Sequence, residues 1–209
     1  MPSHTEAFKK RFQLAVVTHD PRFGKKIVDE ARRRGLEVKQ FGEIDDVPLS
    51  TDAVIVKQGE QEPRGRKTVS IDPVMDPASA VDKALETGYG KQDVAKAVVV
   101  IDPGKTTGAA FFADEILLRA ETFFDHQALT ENVANFFKNH LNSEKLVYVG
   151  EGAPVFREKL IQHLISSIPD LTRDMVKTLP EKNSSRLAGG KDEIAAAIIS
   201  SMRRTRKRL

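Results

Sequence analysis

Residues 98–108 read VVVIDPGKTTG, and this stretch decides the fold of the second half of the 209-residue chain. Its four apolar residues predict a buried strand, which ends in Asp102 and leads directly into a turn-forming Pro-Gly pair. Residues 146–154, LVYVGEGAP, repeat this design, with Glu151 at the strand end and a proline suited to the first turn of a helix. The second half is therefore expected to contain two buried strands that each end in an acid.

The hydrophobic pattern around these strands predicts two α/β domains. Residues 95–209 give the order βββαβαβα, with strands at 97–101, 109–113, 116–122, 146–149 and 175–179 and helices at 128–141, 154–167 and 191–203. Residues 1–90 give a small Rossmann-like α/β domain of unknown role, with strands at 14–17, 36–41, 53–56 and 68–71 and helices at 22–34 and 77–86. The predicted fold class is α/β in both halves, and the sheet of the first domain is expected to be partly parallel.

The composition is that of an ordinary soluble protein. The chain is 40% hydrophobic and 30% charged, contains no cysteine, and has no apolar run of the roughly 18 residues that a membrane span needs. Its polar N-terminus lacks the apolar stretch of a signal peptide. We therefore expect a cytoplasmic protein without membrane attachment, disulfides or thiolate metal sites.

The acids at the strand ends predict a metal site. If the two strands are parallel neighbours, the carboxyl ends that carry Asp102 and Glu151 lie roughly 4.8 Å apart. Carboxylates this close repel each other unless a cation lies between them, and hard oxygen ligands favour Mg²⁺ or Mn²⁺. A third acid, Asp192, opens a predicted helix whose same face is apolar, and Glu193 lies one step round that helix. Acids from two strands and one helix suit metal-assisted phosphoryl transfer.

Each acid also has an ordinary structural explanation. Asp-Pro-Gly is a common turn, and residues 71–73 repeat its beginning, Ile-Asp-Pro, in the first domain without the glycine. Glu151 and Asp192 each stand near a predicted helix start, where the helix dipole stabilises a carboxylate. Only their joint occurrence at strand and helix ends favours a site.

Three segments of the second domain resemble RuvC-like resolvases. Residues 98–108 look like the opening strand and turn of that family, where an acid ends the strand and a Pro-Gly pair with a later glycine makes the turn. Residues 149–154 are similar to its second acidic strand, and residues 191–198 to its last helix, where an acid precedes an alanine-rich run. The related YqgF branch is equally similar. The resemblance covers residues 95–205 and implies a ribonuclease-H-like mixed sheet flanked by helices.

That likeness implies a metal-dependent endonuclease that cuts structured nucleic acid, above all DNA junctions, and a homodimer, because a four-way junction has two symmetric strands to cut. It makes Asp102, Glu151 and Asp192 the catalytic residues, and these three with Glu193 the ligands of Mg²⁺ or Mn²⁺. The family has a further acid or histidine where this chain has Gly189. Two alternatives stay open: a nucleic-acid-binding or scaffold protein with a degenerate site on the same fold, and, ranked last, an actin-like ATPase.

Basic residues supply the predicted nucleic-acid contacts. The net charge is only +3, with a pI near 9.0, but the chain ends in a basic run that attracts phosphate backbones. The candidate contacts are Lys105, Arg203, Arg204, Arg206, Lys207 and Arg208. A solvated, disordered end is the alternative interpretation of this run.

The first domain offers no comparable motif. It has no G-x-G-x-x-G pattern, so dinucleotide binding has no support. Asp52 precedes its predicted strand instead of following it, and is therefore poorly placed as a phospho-acceptor. We expect this domain to be a recognition or assembly module.

Overall fold

The chain forms two compact units, Met1–Gln92 and Asp93–Leu209, which we call the N-terminal and C-terminal units. The structure is a computed structural model that describes residues 12–60, 67–151 and 154–179. Each unit combines a sheet with helices, so the predicted α/β class is confirmed. Within the described ranges, no helix has both the length and the apolar character needed to cross a membrane.

The N-terminal unit is a four-stranded parallel sheet with two helices. Its elements are β1 (Gln13–Val17), α1 (Pro21–Arg33), β2 (Glu37–Phe41), a 3-10 helix (Ile44–Asp46), β3 (Ala53–Lys57), β4 (Thr68–Ile71) and α2 (Pro77–Gly88). The strand order is β2-β1-β3-β4, and each pair of neighbours is parallel. The apolar runs in β1 and β3 are almost fully buried, as expected for central strands of a parallel sheet.

Both helices of this unit start at an aspartate followed by proline. The side chain of Asp20 accepts hydrogen bonds from the first amides of α1, and that of Asp76 accepts one from Ser79 in α2. Proline suits the next position because its missing N–H has no partner there anyway. Helix α1 ends before Gly35, whose φ of 75° is a left-handed conformation that favours glycine.

The C-terminal unit is a five-stranded mixed sheet. Its elements are β5 (Lys96–Asp102), β6 (Thr107–Ala113), β7 (Ile116–Phe123), α3 (His126–Lys138), β8 (Glu144–Gly150), α4 (Pro154–Ser167), a 3-10 helix (Arg173–Met175) and β9 (Val176–Leu179). The strand order is β7-β6-β5-β8-β9. Strand β5 is antiparallel to β6 and parallel to β8, which in turn is parallel to β9.

Adjacent phenylalanines in β6 define the two faces of this sheet. The ring of Phe111 meets that of Phe136 from α3 at 5.4 Å in an edge-to-face arrangement, and the Arg119 guanidinium lies 4.2 Å from the centre of the Phe111 ring. Phe112 points to the opposite face, where it joins a second buried apolar cluster. The core of this unit is therefore split between the two sides of the sheet.

The observed elements of the C-terminal unit follow the predicted order as far as β9. The β6–β7 turn contains Asp114 in a left-handed conformation, with φ of 52°. Several bounds differ from the predicted ones. Helix α3 starts two residues earlier than predicted, because Asp125 caps it through the Ala128 amide, and it ends at Lys138, three residues before the predicted end. The predicted helix at 191–203 lies outside the described residues, as do Asp192, Glu193 and the basic run.

Candidate functional site

The carboxyl ends of β1 and β3 form the topological switch point of the N-terminal unit. The chain leaves β1 through α1 towards β2 on one side, whereas β3 and β4 lie on the other. In open parallel sheets this divergence leaves a crevice where ligands bind. Here β1 is followed by Thr18, His19 and Asp20, and β3 ends in Lys57.

An ion-paired cluster fills this switch point. The Lys57 ammonium lies 2.9 Å from Asp20 Oδ2 and 3.3 Å from Glu60 Oε1. The three side chains are 20%, 33% and 19% exposed, so that each is only partly in solvent. Because Asp20 also caps α1, its ion pair with Lys57 links the end of β3 to the first turn of that helix.

Backbone and hydroxyl groups complete the cluster. The His19 amide donates to Glu60 Oε2 at 2.9 Å, and the Asp20 amide donates to the Thr18 hydroxyl oxygen at 3.0 Å. His19 also reaches Glu43 through Nε2 at 3.3 Å, although both side chains are 62% exposed. The loop after β1 is thus held to the loop after β3 by both backbone and side-chain contacts.

The pKa values show how strongly the three charges are stabilised. The hydrogen bond from Lys57, together with backbone amides of α1, lowers the pKa of Asp20 from 3.8 to about 2. The same hydrogen bond raises the pKa of Lys57. At Glu60 burial works to raise the pKa, but hydrogen bonds from the Thr18 hydroxyl, the His19 amide and Lys57 outweigh it and lower the pKa. All three groups therefore carry their charges at neutral pH.

This arrangement does not suit a divalent cation or a phosphoryl acceptor. A metal at the switch point would need the carboxylate oxygens of Asp20 and Glu60, which the Lys57 ammonium already contacts. The end of β3 carries an amine where an acceptor would need a carboxylate. Asp52 stands at the opposite end of the strand, where its Oδ2 accepts from the Gln13 amide at 2.9 Å.

The structure places the two acids of the C-terminal unit at one sheet edge. Asp102 ends β5 and is 4% exposed, and Glu151 follows β8, the parallel neighbour of β5. Asp102 Oδ1 lies 3.7 Å from the position that a Cβ on Gly150 would occupy, so the carboxylate is directed towards β8. Glu151 is exposed; its amide donates to the Leu179 carbonyl and its own carbonyl accepts from Arg157.

The rest of the predicted site is not assembled by the described residues. No group of three or more histidines and acids that could hold a metal occurs in the ranges the structure covers. Asp192 and Glu193 lie outside them, and so do Arg203, Arg204, Arg206, Lys207 and Arg208. Lys105 lies exposed in the loop between β5 and β6. The metal-site prediction therefore rests on Asp102 and Glu151 within the described chain, and it stays a prediction.

Sequence reasoning missed Lys57 and its partners. The signal that would have found them is the one that pointed to Asp102 and Glu151: a charged residue directly after a buried strand. AVIVK at 53–57 fits that pattern with Lys57, whereas in LAVVTHD at 14–20 the acid comes three residues after the strand. If the rule is widened to the first few residues after a buried strand, it places opposite charges at the switch point of the N-terminal unit.

Comparison with known proteins gives one match. Residues 13–88 match the model of a family described as a response regulator receiver-like domain. The match spans β1 to α2, which is the sheet and both helices of the N-terminal unit but less than half of the chain. No curated protein and no solved structure matches the chain.

This finding corrects the resolvase interpretation. The RuvC-like and YqgF-like resemblance, the nuclease function inferred from it and nucleic acid as the partner are wrong, since the match to a response regulator receiver-like domain points to signalling. The homodimer was inferred from the same resemblance and loses its basis with it. The physical reason is that a buried strand ending in an acid and a turn is a local pattern, which any sheet with parallel strands can contain. What the comparison supports is a receiver-like fold over residues 13–88.

Proposed function

We propose that this protein is a signalling regulator whose N-terminal unit acts through protein partners without accepting a phosphoryl group. The match to a receiver-like family supports the signalling role. The ion pair of Lys57 with Asp20 and Glu60 supports independence from phosphorylation, and it is the observation that carries the proposal.

The charges at the switch point support this independence from phosphorylation. Receiver domains bind Mg²⁺ at an acidic pocket. In this chain the Lys57 ammonium pairs with both acids of the corresponding crevice and offsets one of their two negative charges. A divalent cation would have to displace that ammonium and leave it next to two positive charges, which Coulomb's law disfavours at these distances. The unit therefore keeps one arrangement of its switch point, with no metal-dependent or phosphoryl-dependent alternative.

A phosphodonor experiment tests this function. The purified full chain is incubated with acetyl phosphate and Mg²⁺ beside an active receiver domain as positive control, and intact mass and hydroxylamine sensitivity are measured. We expect an acyl phosphate on the control and none on this protein. A hydroxylamine-sensitive phosphoryl group on any acid of residues 13–88 would overturn the proposal.

A partner experiment tests the signalling part. Tagged wild type, Lys57→Met and Lys25→Met are expressed in cells and cross-linked, and co-purifying proteins are quantified. Lys25 pairs with Asp29 on the exposed face of α1, so its variant removes one lysine without touching the switch point. We expect a defined set of proteins to be lost with Lys57→Met and retained with Lys25→Met. Equal recovery in all three samples would contradict a partner-binding role for this edge.

We also propose that Asp102 and Glu151 bind Mg²⁺ or Mn²⁺. The support is the buried Asp102 carboxylate directed towards the end of β8, where Glu151 follows. Calorimetric titration of the full chain with MnCl₂ tests it, with Asp102→Asn as the variant and Glu131→Gln, an exposed acid of α3, as the control. Binding that survives Asp102→Asn unchanged would overturn this assignment.

We also propose a specific fold for each of the two units. The strand order β2-β1-β3-β4 with parallel neighbours supports a Rossmann-like domain over residues 1–90. The mixed order β7-β6-β5-β8-β9 supports a ribonuclease-H-like arrangement over residues 95–209, as a statement about fold alone.

A further inference from the structure

Two histidines of the C-terminal unit lie beside each other where its described α-helices meet. His126 is the first residue of α3, and His163 lies in the second half of α4. The centres of their rings are 6.2 Å apart, and the two helices contact each other. The pair is therefore brought together by the packing of α4 on α3.

Buried residues of both helices hold the two rings at this place. His126 precedes the fully buried Leu129 and Val133 by three and seven residues, so it extends the buried stripe of α3 by one turn. On α4 the fully buried Leu160 precedes His163 by three residues, which places the two on the same side of the helix. Both histidines are half-buried, so the rings are supported by the core and still open to solvent.

The nitrogens of these two rings have no other role among the described residues. No hydrogen bond or ion pair in the described part of the chain involves the imidazole of His126 or His163. The other two described histidines differ: Nδ1 of His140 lies 2.7 Å from a backbone carbonyl of α3, and Nε2 of His19 lies 3.3 Å from a carboxylate. The pair thus keeps nitrogens for a ligand, and neutral imidazole nitrogen is a preferred ligand of zinc, copper and nickel ions.

The distance between the rings suits a metal ion between them. A Zn–N bond of about 2.0–2.1 Å puts each ring centre roughly 3.2 Å from the ion. Two such rings have centres roughly 5 Å apart at a tetrahedral angle and roughly 6.4 Å apart when they stand on opposite sides of the ion. The observed 6.2 Å falls within this range, and a tetrahedral site requires the rings to approach each other by roughly 1 Å.

We propose that His126 and His163 together bind one divalent ion of the zinc, nickel and copper class, with water completing the coordination. The ion would link α3 to α4. This site differs from the one proposed at Asp102 and Glu151, because imidazole selects zinc-like ions whereas carboxylate oxygens select magnesium and manganese. It is also independent of the signalling proposal.

Calorimetric titration of the tag-free full chain with ZnCl₂ tests the site. His126→Gln and His163→Gln each remove one ligand, and His19→Gln removes a histidine of the N-terminal unit as the matched control. Loss of even an outer partner of a metal ligand commonly costs roughly 10–100-fold in metal affinity, and loss of a ligand should cost at least as much. We expect one Zn²⁺ per chain, weakened to this extent in either site variant and bound as in the wild type by His19→Gln. Asp102→Asn should keep Zn²⁺ binding, which separates this site from the other one.

Paramagnetic broadening by Co²⁺ keeps the proposal testable if a site variant does not fold. Co²⁺ accepts the same nitrogen ligands and can be added to the ¹⁵N-labelled wild type. The amides of His126 and His163 should broaden together, at lower Co²⁺ than those of His19 and His140. The proposal is overturned if the wild type shows no saturable Zn²⁺ binding, or if binding is unchanged in either site variant or lost in Asp102→Asn. Broadening at only one of the two site histidines would overturn it as well.

Discussion

The ammonium of Lys57 lies 2.9 Å from Asp20 Oδ2, and this contact joins the end of strand β3 to the cap of helix α1. Lys57 ends β3, and Asp20 lies three residues after the end of β1, the parallel neighbour of β3 at the switch point of the N-terminal sheet. The same ammonium also contacts Glu60 Oε1 at 3.3 Å, so that it occupies the space between the two carboxylates of the crevice.

The Lys57–Asp20 contact predicts a pH dependence of stability. The pKa of Asp20 falls from 3.8 to about 2 on folding, chiefly through the hydrogen bond from Lys57. A carboxyl with a lowered folded pKa stabilises the fold above its unfolded pKa and loses that contribution as the pH falls towards its folded pKa. We expect the thermal midpoint of the wild type to drop between about pH 4 and pH 2. Lys57→Met should lower the thermal midpoint at neutral pH and make its drop between about pH 4 and pH 2 smaller. Lys25→Met should keep the wild-type drop. If the midpoint falls equally with pH in all three proteins, the hydrogen bond from Lys57 is not what lowers the pKa of Asp20.

Breaking a buried ion network should cause a large loss of stability in the N-terminal unit. Arg34 donates to Glu30 and to Asp82 at 2.6 Å each, and its side chain is 6% exposed. Asp82→Ala leaves part of that buried guanidinium unpaired, which costs about 3–5 kcal/mol. Lys25→Ala breaks only the exposed pair with Asp29 and should cost less than about 1 kcal/mol. Urea unfolding measures the change in the free energy of unfolding for both variants. Similar losses would contradict a larger contribution from the buried Arg34 network than from the exposed pair.

Two helix glycines should respond oppositely to alanine. A Cβ on Gly88 would collide with the Phe12 ring and would also lie 3.2 Å from the Ala53 Cβ, which is tighter than an ordinary contact. Gly88→Ala should therefore destabilise the unit by about 1–3 kcal/mol. A Cβ on Gly24 would meet only the amide end of Gln40, 2.6 Å away, which can rotate aside. Gly24→Ala should be neutral or should stabilise by up to about 1 kcal/mol through helix propensity, and a clear loss of stability there would refute this explanation.

Removing the ring contact between the C-terminal sheet and α3 should strongly destabilise the C-terminal unit. Phe136 is 1% exposed and meets Phe111 at 5.4 Å. Phe136→Ala should cost about 3–5 kcal/mol because it leaves a cavity in the core. Phe124, 82% exposed at the end of β7, serves as the control, and its alanine variant should stay within about 0.5 kcal/mol. Equal effects, measured by chemical unfolding, would mean that the described packing is wrong.

Local sequence signals account for most of what could be predicted of the fold. An aspartate followed by a proline precedes both observed helices of the N-terminal unit, and continuous apolar runs mark its central strands. These signals act over a few residues, so a single sequence contains them. The neighbour relations between strands are different, because β1 and β3 are adjacent in the sheet although 35 residues separate Val17 from Ala53 in the chain.

The candidate site was missed for that same reason. Lys57 and Asp20 are 37 positions apart, and although each lies at or soon after the end of a buried strand, that local signal does not identify the partner. Asp102 and Glu151, in contrast, stand beside glycines and prolines that make a conspicuous local motif. That motif placed both acids at one edge of the sheet, but a strand-acid-turn pattern specifies a backbone path and no particular chemistry.

A Mg²⁺ titration of ¹⁵N-labelled full-length protein, read at the amides of residues 18–20 and 57–60, tests the central claim most directly. If the Lys57 ammonium occupies the switch point in place of a metal, these amides should keep their positions as Mg²⁺ is added, at the pH and salt where the ion pairs are formed. Saturable shifts at Asp20 and Glu60 in the wild type would show that a metal displaces the Lys57 ammonium, and would contradict the claim.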